Sequence, residues 1–255
     1  MARNTYGLDL GSYEIKVYDK KQDTIWKEKN VLAVQDKKEI IAIGEDAYQM
    51  YEKTPPDIEV AFPMRDGVIS RFNDMQNLLQ NILKKNRHFS RGAEYVIAVP
   101  TDVTEVQKKA FFDLVIHSNA KAREVNIVER SIADAVGLGI DVQNTTGVMI
   151  INFGGETTEL SVLTEGGIVF NRLLKLGGTT LDQEIVNLVR NSHDFLIGSR
   201  TAEILRQQFD VFNGDSETAF SVAGRDLITG LPMRKTISIT LVRAAFKDTL
   251  LECMK

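Results

Sequence analysis

The sequence is poor in the residues that build covalent or metal-centred scaffolds. It has one cysteine, Cys253, and three histidines among 255 residues. A single thiol excludes an internal disulfide and a thiolate cluster for zinc or iron, and it is typical of a reducing compartment. The histidines, at positions 88, 117 and 193, have no Cys or His neighbour at metal-binding spacing, so no metal role is predicted for them.

The sequence also lacks an excess of positive charge and any long hydrophobic run. Lys and Arg number 31 against 35 Asp and Glu, which gives a formal net charge of −4. This balance argues against a nucleic-acid partner, because phosphate neutralisation normally needs a basic surface. No window approaches the roughly 20 apolar residues that cross a bilayer, and the first residues show no signal-peptide pattern. We therefore expect a cytoplasmic protein.

Short β-branched runs and helical patterns recur in both halves of the chain. The patterns predict strands at 6–10, 15–18, 31–34, 40–43, 95–99, 125–128, 148–153, 158–162 and 168–174, and helices at 73–85, 102–118, 181–190, 199–209 and 239–251. We predict an α/β protein of two lobes, 1–145 with a small inserted subdomain at about 30–72, and 146–255 with a mostly helical subdomain at about 179–236.

The first candidate site is the turn in Gly7-Leu-Asp-Leu-Gly-Ser12, which is followed by a second strand. Gly11 lets backbone N–H groups approach a phosphate, and Ser12 supplies a hydroxyl. Lys16 adds a positive charge, and Asp9 offers a carboxylate to a hydrated Mg²⁺. An ordinary turn with a capping Asp has the same pattern, so this segment alone leaves both interpretations open.

A second strand runs into a similar turn, Asn152-Phe-Gly-Gly-Glu-Thr-Thr158. Two such hairpins facing each other across a cleft can hold the phosphates of one nucleotide, as in the actin and heat-shock chaperone ATPase superfamily. A third turn contains Gly177 and Gly178 and precedes the helix predicted from residue 181, whose N-terminal amides suit an anion. Together the three turns predict an ATP site.

Several segments outside these turns resemble the MreB family of bacterial actin-like proteins. They are Phe62-Pro-Met-Arg-Asp-Gly-Val-Ile, Val99-Pro-Thr with Ala122-Arg-Glu-Val, Phe195-Leu-Ile-Gly-Ser-Arg-Thr-Ala-Glu, and Ala223-Gly-Arg-Asp-Leu-Ile-Thr-Gly-Leu-Pro. The resemblance covers nearly the whole chain. It implies an actin-like, ribonuclease H-like two-lobed fold and ATP-dependent assembly into membrane-associated filaments that organise cell-wall synthesis and cell shape.

The resemblance also assigns site residues. It implies ATP and Mg²⁺ as ligands, with Asp9 on the metal and Thr157 positioning the attacking water. It places Arg206 and Gln208 at the nucleoside, where the family has Lys and Glu. The full cofactor-binding prediction is Asp9, Gly11, Ser12, Lys16, Gly154, Gly155, Thr157, Thr158, Gly177, Gly178, Arg206 and Gln208.

The second turn departs from the family pattern Asp-Ile-Gly-Gly-Gly-Thr-Thr-Glu at two positions. Asn152 replaces Asp and removes a negative charge that would help to order Mg²⁺. Glu156 replaces the third Gly, which predicts repulsion of phosphate unless its carboxylate points away. If the backbone there has positive φ, Glu156 also costs about 1–2 kcal/mol of strain.

A third departure affects hydrolysis. The family has Glu-Glu-Pro before the helix that joins the lobes, and its second Glu helps to position water. This chain has Glu129-Arg130-Ser131, and a guanidinium is a hydrogen-bond donor only. We therefore expect weak hydrolysis. The alternative of a working ATPase, in which Glu129 replaces the missing acceptor beside Thr157, stays open.

The chain ends inside the helix predicted at 239–251. The family's later Gly-Gly-Gly turn and last helices have no counterpart, so the resemblance implies a second lobe that is incomplete at the C-terminus. A natural short form and a truncated fragment both fit this pattern. A further alternative is a nucleotide-free module that joins or caps filaments of a full-length relative.

A basic segment follows the helix predicted at 73–85 and takes the place of a loop with which family members touch membrane. Its candidate membrane residues are Lys84, Lys85, Arg87, Phe89 and Arg91. An ordinary solvated basic loop is the alternative. The predicted partners are therefore a second copy or a full-length relative, and an anionic membrane surface.

Overall fold

A computed structural model describes residues 4–85, 92–208, 214–215 and 217–253, without the side chains of residues 248, 252 and 253. By their internal contacts the residues separate into two compact units, Met1–Lys175 and Leu176–Lys255. The predicted lobe boundary at residue 145 differs from this division and stays a prediction. None of the described helices is long and apolar enough to span a membrane.

The first unit contains strands and helices in alternation. In chain order they are β1 (Thr5–Leu10), β2 (Glu14–Asp19), β3 (Thr24–Lys29), β4 (Leu32–Gln35), β5 (Glu39–Ile43), α1 (Glu45–Met50), β6 (Ile58–Ala61), β7 (Met64–Arg65), β8 (Val68–Ile69), α2 (Phe72–Lys85), β9 (Glu94–Val99), α3 (Glu105–Ile116), β10 (Glu124–Glu129), α4 (Arg130–Gly137), β11 (Val148–Phe153), β12 (Thr158–Thr164) and β13 (Gly167–Leu174).

The largest sheet has the strand order β10-β9-β1-β2-β3. The strands β1, β2 and β3 are antiparallel, whereas β9 and β10 run parallel to β1. Because alternate residues of a strand face opposite sides, Tyr6, Leu8 and Leu10 enter one core together. The carboxyl ends of the three parallel strands lie at one edge, which is where the β1–β2 turn and α4 begin.

Two amphipathic helices contribute to that core. In α2 the buried residues recur at helical spacing, as Met75, Leu78, Leu79 and Ile82. Helix α3 starts with a capping box, in which Gln107 N–H donates to the Thr104 hydroxyl and the Gln107 side chain accepts from the Thr104 N–H. These local signals explain why the sequence predicts both helices.

Three smaller sheets complete the first unit, and one of them is the two-stranded sheet β7-β8. The sheet β5-β4-β6 packs with α1 around Val31, Ala33 and Ala47. The sheet β11-β12-β13 is antiparallel, and one of its faces packs on α4 through Ile150 and Leu163. The opposite face is exposed and apolar, with Met149 58%, Ile151 60%, Phe153 43% and Phe170 49% accessible.

The second unit contains α5 (Gly178–His193), β14 (Phe195–Leu196), α6 (Ser199–Gln208), β15 (Ala219–Asp226), β16 (Pro232–Ser238) and α7 (Ile239–Cys253). Its core collects apolar residues of all six elements, including Val189, Phe195, Leu205, Ile237 and Val242. The segment 179–236 was predicted as mostly helical, and this prediction is wrong for its second half. There β15 and β16 form an antiparallel hairpin in which polar residues and Gly224 interrupt the apolar alternation.

The turn between β15 and β16 depends on Asp226. Its side chain accepts hydrogen bonds from the backbone N–H of Ile228 and Thr229 and from the Thr229 hydroxyl, and it pairs with Lys235 at 3.2 Å. The backbone N–H and the hydroxyl of Thr229, followed by Lys235, favour the charged carboxylate and lower the pKa of Asp226 from 3.8 to about 2.

We predict that Asp226→Asn destabilises the chain at neutral pH and that the difference from wild type shrinks in acid. A lowered folded-state pKa adds stability above the unfolded pKa near 3.8, and this stability is lost as pH falls towards 2. Urea unfolding followed by circular dichroism over this range measures the difference. Asp46→Asn, at an exposed position on α1, is the control. An equal deficit at neutral and acidic pH would contradict the assignment.

Candidate functional site

The first predicted turn is a tight hairpin between β1 and β2. The N–H of Gly11 donates to the carbonyl of Glu14 at 3.2 Å. A Cβ on residue 11 would lie 2.8 Å from that oxygen, so the turn requires glycine. Asn30, which is 1% exposed, donates its side-chain N–H to the Gly11 carbonyl at 2.8 Å. This hydrogen bond further stabilises the turn.

The second predicted turn has the same construction. The N–H of Gly154 donates to the carbonyl of Thr157 at 2.8 Å, and a Cβ on Gly154 would lie 2.9 Å from that oxygen. Thr157 and Thr158 are buried at 7% and 1% exposure. Both hairpins therefore close through a glycine N–H bonded to the carbonyl three residues later.

The two hairpins are in contact at their tips. A Cβ on Gly155 would lie 2.5 Å from the Cβ of Tyr13, so no side chain fits at position 155. The turn between β7 and β8 joins them as well. Gly67 N–H donates to the Ser12 hydroxyl at 3.2 Å, and Asp66 N–H donates to the Glu156 carboxylate at 2.8 Å.

This contact bears on the two effects expected of Glu156, which are repulsion of phosphate and backbone strain. Its carboxylate is bound by the Asp66 N–H and lies 3.4 Å from the guanidinium of Arg65, so its charge is already compensated. Non-glycine residues with positive φ include Asp66 and Glu165 but not Glu156. Neither the strain nor an uncompensated carboxylate applies in this geometry.

Asp9 is paired with two cations. Lys16, directly opposite Asp9 in the β1–β2 register, donates to Oδ2 at 2.8 Å. Arg130, the first residue of α4, places Nη2 3.6 Å from Oδ1, which is within ion-pair distance but beyond hydrogen-bond distance. The Arg130 side chain is 12% exposed, and its Nη2 is buried without a hydrogen-bond partner.

A polar cluster that the sequence patterns did not predict interacts with this pair. Asn152 donates its side-chain N–H to Asp134 Oδ2 at 2.6 Å. Glu159 is 3% exposed, accepts from the Thr101 N–H through Oε1, and has an Oε2 without a hydrogen-bond partner. Asp134 follows Arg130 by one helical turn, and that spacing is a signal by which it could have been found.

The environment of Asp134 shifts its pKa upward from the ordinary value. Burial raises the pKa of Asp134, while the hydrogen bond from Asn152 and the charge of Arg130 oppose the rise. The charges of Asp9 and Glu159 raise it further. The amide at position 152 therefore stabilises a carboxylate that a second acid at this position would repel.

The predicted Mg²⁺ does not fit this arrangement. Mg²⁺ binds through carboxylate oxygens and retained waters, whereas both oxygens of Asp9 face cations. Asn152 offers an amide that is committed to Asp134. In the part of the chain that the structure describes, no group of three or more His, Cys, Asp or Glu residues could hold a metal ion.

The predicted acceptor Glu129 lines a cavity that Arg130 does not line. It occupies the N-cap position of α4 without a side-chain capping hydrogen bond, and the cavity, of about 570 Å³, lies between that helix and the β12–β13 turn. The other lining residues are Ile132, Val136, Ile140, Asp141, Val142, Gln143, Gly166, Gly167 and Ile168. Neither Thr157 nor Asp9 lines this cavity. A catalytic role for Glu129 and Thr157 stays a prediction.

The remaining predicted residues belong to the second unit. Gly177 and Gly178 begin α5, and the Gly177 N–H donates to the Thr180 hydroxyl at 3.3 Å. Arg206 pairs with Asp182 through Nε at 2.6 Å and Nη2 at 3.2 Å. A Cβ on Gly178 would lie 3.3 Å from that Nη2, so glycine leaves room for the guanidinium. Gln208 is exposed at the end of α6.

Solved structures with the same fold define the class of protein. MamK, in a double helical filament, superposes with a TM-score of 0.77 at 20% identity over 99% of this chain and 79% of its own. MreB 5 of Spiroplasma citri superposes at 30% identity, with TM-scores of 0.90 bound to AMPPNP and 0.91 bound to ADP. The AMPPNP match covers 100% of this chain and 77% of the other. The predicted actin-like fold is confirmed.

Sequence comparison identifies the family. The family model described as MreB/Mbl protein matches residues 3–255. The cell shape-determining protein MreB of Escherichia coli (strain K12) is 33% identical over 259 residues, which cover 98% of this chain and 74% of that protein. The chain therefore belongs to the MreB/Mbl family and is an actin-like cytoskeletal scaffold protein. The resemblance found in the sequence is confirmed.

We predict that Asn152→Asp lowers the free energy of unfolding by about 1–3 kcal/mol at neutral pH, because it replaces a partly buried donor by a second carboxylate beside Asp134. The deficit should shrink as the pH falls, since the raised pKa of Asp134 favours protonation of one acid and restores a donor. Urea unfolding followed by Trp26 fluorescence measures it. Asn126→Asp makes the same change beside Glu124 at an exposed site and should have little effect. Equal deficits for both variants would contradict the prediction.

Proposed function

We propose that the chain binds ATP at the two hairpins of the first unit. The observation that carries the proposal is the repeated turn, with Gly11 bonded to Glu14 and Gly154 bonded to Thr157, and with the tips in contact at Gly155. Hairpins of this kind direct backbone N–H groups at phosphate oxygens. Binding of AMPPNP and ADP by the related MreB 5 of Spiroplasma citri supports it.

We propose that residues at the start of α5 and on α6 contact the nucleoside of ATP. Gly178 leaves space for Arg206, whose guanidinium is oriented by Asp182. Gln208 has an exposed amide that can donate to and accept from ribose hydroxyls. This assignment follows the family pattern, with Arg and Gln in place of Lys and Glu.

Hydrolysis at this site is weak in our proposal. A water that attacks phosphate needs an acceptor for its proton, and Arg130 offers only donors. Glu129, the nearest acceptor in sequence, lines the cavity beside α4 instead. Thr157 offers a hydroxyl, which cannot by itself take over the role of a carboxylate base.

We propose that the nucleotide-bound chain self-associates into filaments in the cytoplasm. Membership of the MreB/Mbl family supports this assembly, and the related MamK is known as a double helical filament. The alternative of a nucleotide-free module that joins or caps filaments of a full-length relative is not favoured, because both hairpin turns keep the glycines that their geometry requires.

We predict that wild-type protein binds ATP with a Kd of about 1 μM or weaker, about −8 kcal/mol, and releases phosphate near background. Arg130→Glu, which restores an acceptor, should raise turnover without raising affinity. Calorimetric titration of ATP beside a phosphate-release assay, both with Mg²⁺ present, makes the comparison.

Two outcomes would contradict the prediction. Brisk hydrolysis by wild type that falls in Glu129→Gln would identify a working ATPase with Glu129 as its acceptor. Absence of ATP binding, together with co-sedimentation with filaments of a full-length relative, would favour the joining or capping module.

We also propose a peripheral contact with anionic membrane. Lys84 and Lys85 are exposed in the last turn of α2. The other candidates, Arg87, Phe89 and Arg91, lie outside the described residues. A basic residue near an anionic surface contributes about 1 kcal/mol, so four cations can support weak binding.

We predict that the chain sediments with phosphatidylserine vesicles and that Phe89→Ser combined with Lys84→Glu reduces this binding. The double change removes an aromatic anchor and reverses one charge. Lys109→Glu, on the exposed face of α3, is the control for a charge reversal elsewhere. Unchanged sedimentation of the double variant would exclude this segment as the contact.

A further inference from the structure

The charges around Asp9 differ from those that the family motifs would bring. Asp9, Asp134 and Glu159 contribute three negative charges, and Lys16 and Arg130 contribute two positive charges, so the formal sum is −3 + 2 = −1. With Glu at position 130 and Asp at position 152, the same cluster would sum to −5 + 1 = −4. Binding of a triphosphate beside a cluster charge of −4 requires an added cation far more than binding beside a cluster charge of −1.

The Arg130 guanidinium has donor capacity that the protein leaves unused. Its Nη2 is buried, lies 3.6 Å from Asp9 Oδ1 and has no hydrogen-bond partner. A buried donor without a partner destabilises the folded chain, and a phosphate oxygen would satisfy it. Arginine is the side chain best suited to this task, because its planar fork matches phosphate oxygens.

A divalent cation at Asp9 would meet the positive charges already there. Lys16 and Arg130 approach the two oxygens of this carboxylate from different elements, β2 and α4. The Arg130 side chain is only 12% exposed, so solvent screens its charge weakly. The repulsion between Arg130 and an incoming divalent cation is therefore stronger than between two surface charges.

We propose that Arg130 supplies the positive charge that a divalent cation would otherwise bring, so that this chain binds a nucleoside triphosphate without Mg²⁺. The proposal rests on ATP binding at the hairpins, as proposed above, and adds that this binding is independent of metal. Arg130 acts on the phosphates as a fixed cation, with Asp9 orienting its guanidinium.

The test is calorimetric titration of ATP into the wild-type chain in excess EDTA and again in millimolar Mg²⁺. We expect the two Kd values to agree within about threefold. We expect Arg130→Gln to weaken binding in EDTA by about tenfold to a hundredfold, the range for loss of a charged hydrogen bond. Arg130→Lys keeps the charge without the fork and should fall between them.

Two further variants make the comparison specific. Lys109→Gln removes one positive charge from α3, where Lys109 pairs with Asp113, and should leave the affinity unchanged. The double variant Arg130→Glu with Asn152→Asp raises the negative charge of the cluster, and its ATP binding should become dependent on Mg²⁺. Circular dichroism checks that each variant is folded. If Arg130→Gln does not fold, the comparison of wild-type ATP binding in EDTA and in Mg²⁺ still tests metal independence.

The outcomes separate the two levels of the proposal. Wild-type binding that needs Mg²⁺ overturns metal independence and leaves the proposed ATP site in place. Binding in EDTA that survives Arg130→Gln in a folded variant overturns the role of Arg130. Absence of binding under both conditions overturns the ATP site and this inference together.

Discussion

The carboxylate of Asp9 lies between Lys16 and Arg130, and the architecture of the candidate site depends on this pairing. Lys16 ties the carboxylate to β2, and Arg130 ties it to the first turn of α4. Because the carboxyl ends of β1, β9 and β10 meet at the same edge, the three charged groups hold the hairpin and the helix in register. A carboxylate left unpaired at a partly buried position would be unfavourable, so the cations stabilise the edge itself.

The departures from the family motifs are physically coupled. Arg130 and Asn152 both bring donors to positions where the motifs have acceptors, and both act on acids of the same cluster, Asp9 and Asp134. Reverting only position 152 would place an extra acid beside Asp134, and reverting only position 130 would remove a cation from Asp9 and add an acid in its place. The changes therefore form one consistent electrostatic arrangement rather than independent losses, and their energetic effects are not expected to add.

The hairpins were predictable because their causes are local. Glycine is required at positions 11 and 154 by a carbonyl only three residues away, and such spacing is visible in the sequence. The loss of an acceptor at Arg130 was also predictable from residue type. Its partner Asp9 was not, since the two are distant in sequence and meet only through the parallel strands. The direction of the Glu156 carboxylate stayed open for the same reason, because its partner is the backbone of Asp66.

The exposed face of the sheet β11-β12-β13 affects how the chain behaves at high concentration. β11 is an edge strand of this sheet, and Met149, Ile151 and Phe153 point to the same uncovered side. Exposed apolar edge strands template pairing with other chains, so we expect β11 to promote association at high concentration. The exposed Arg172 lies on the same face, on the other edge strand β13, and its charge interrupts the apolar surface. A charge at this position opposes association through the apolar face.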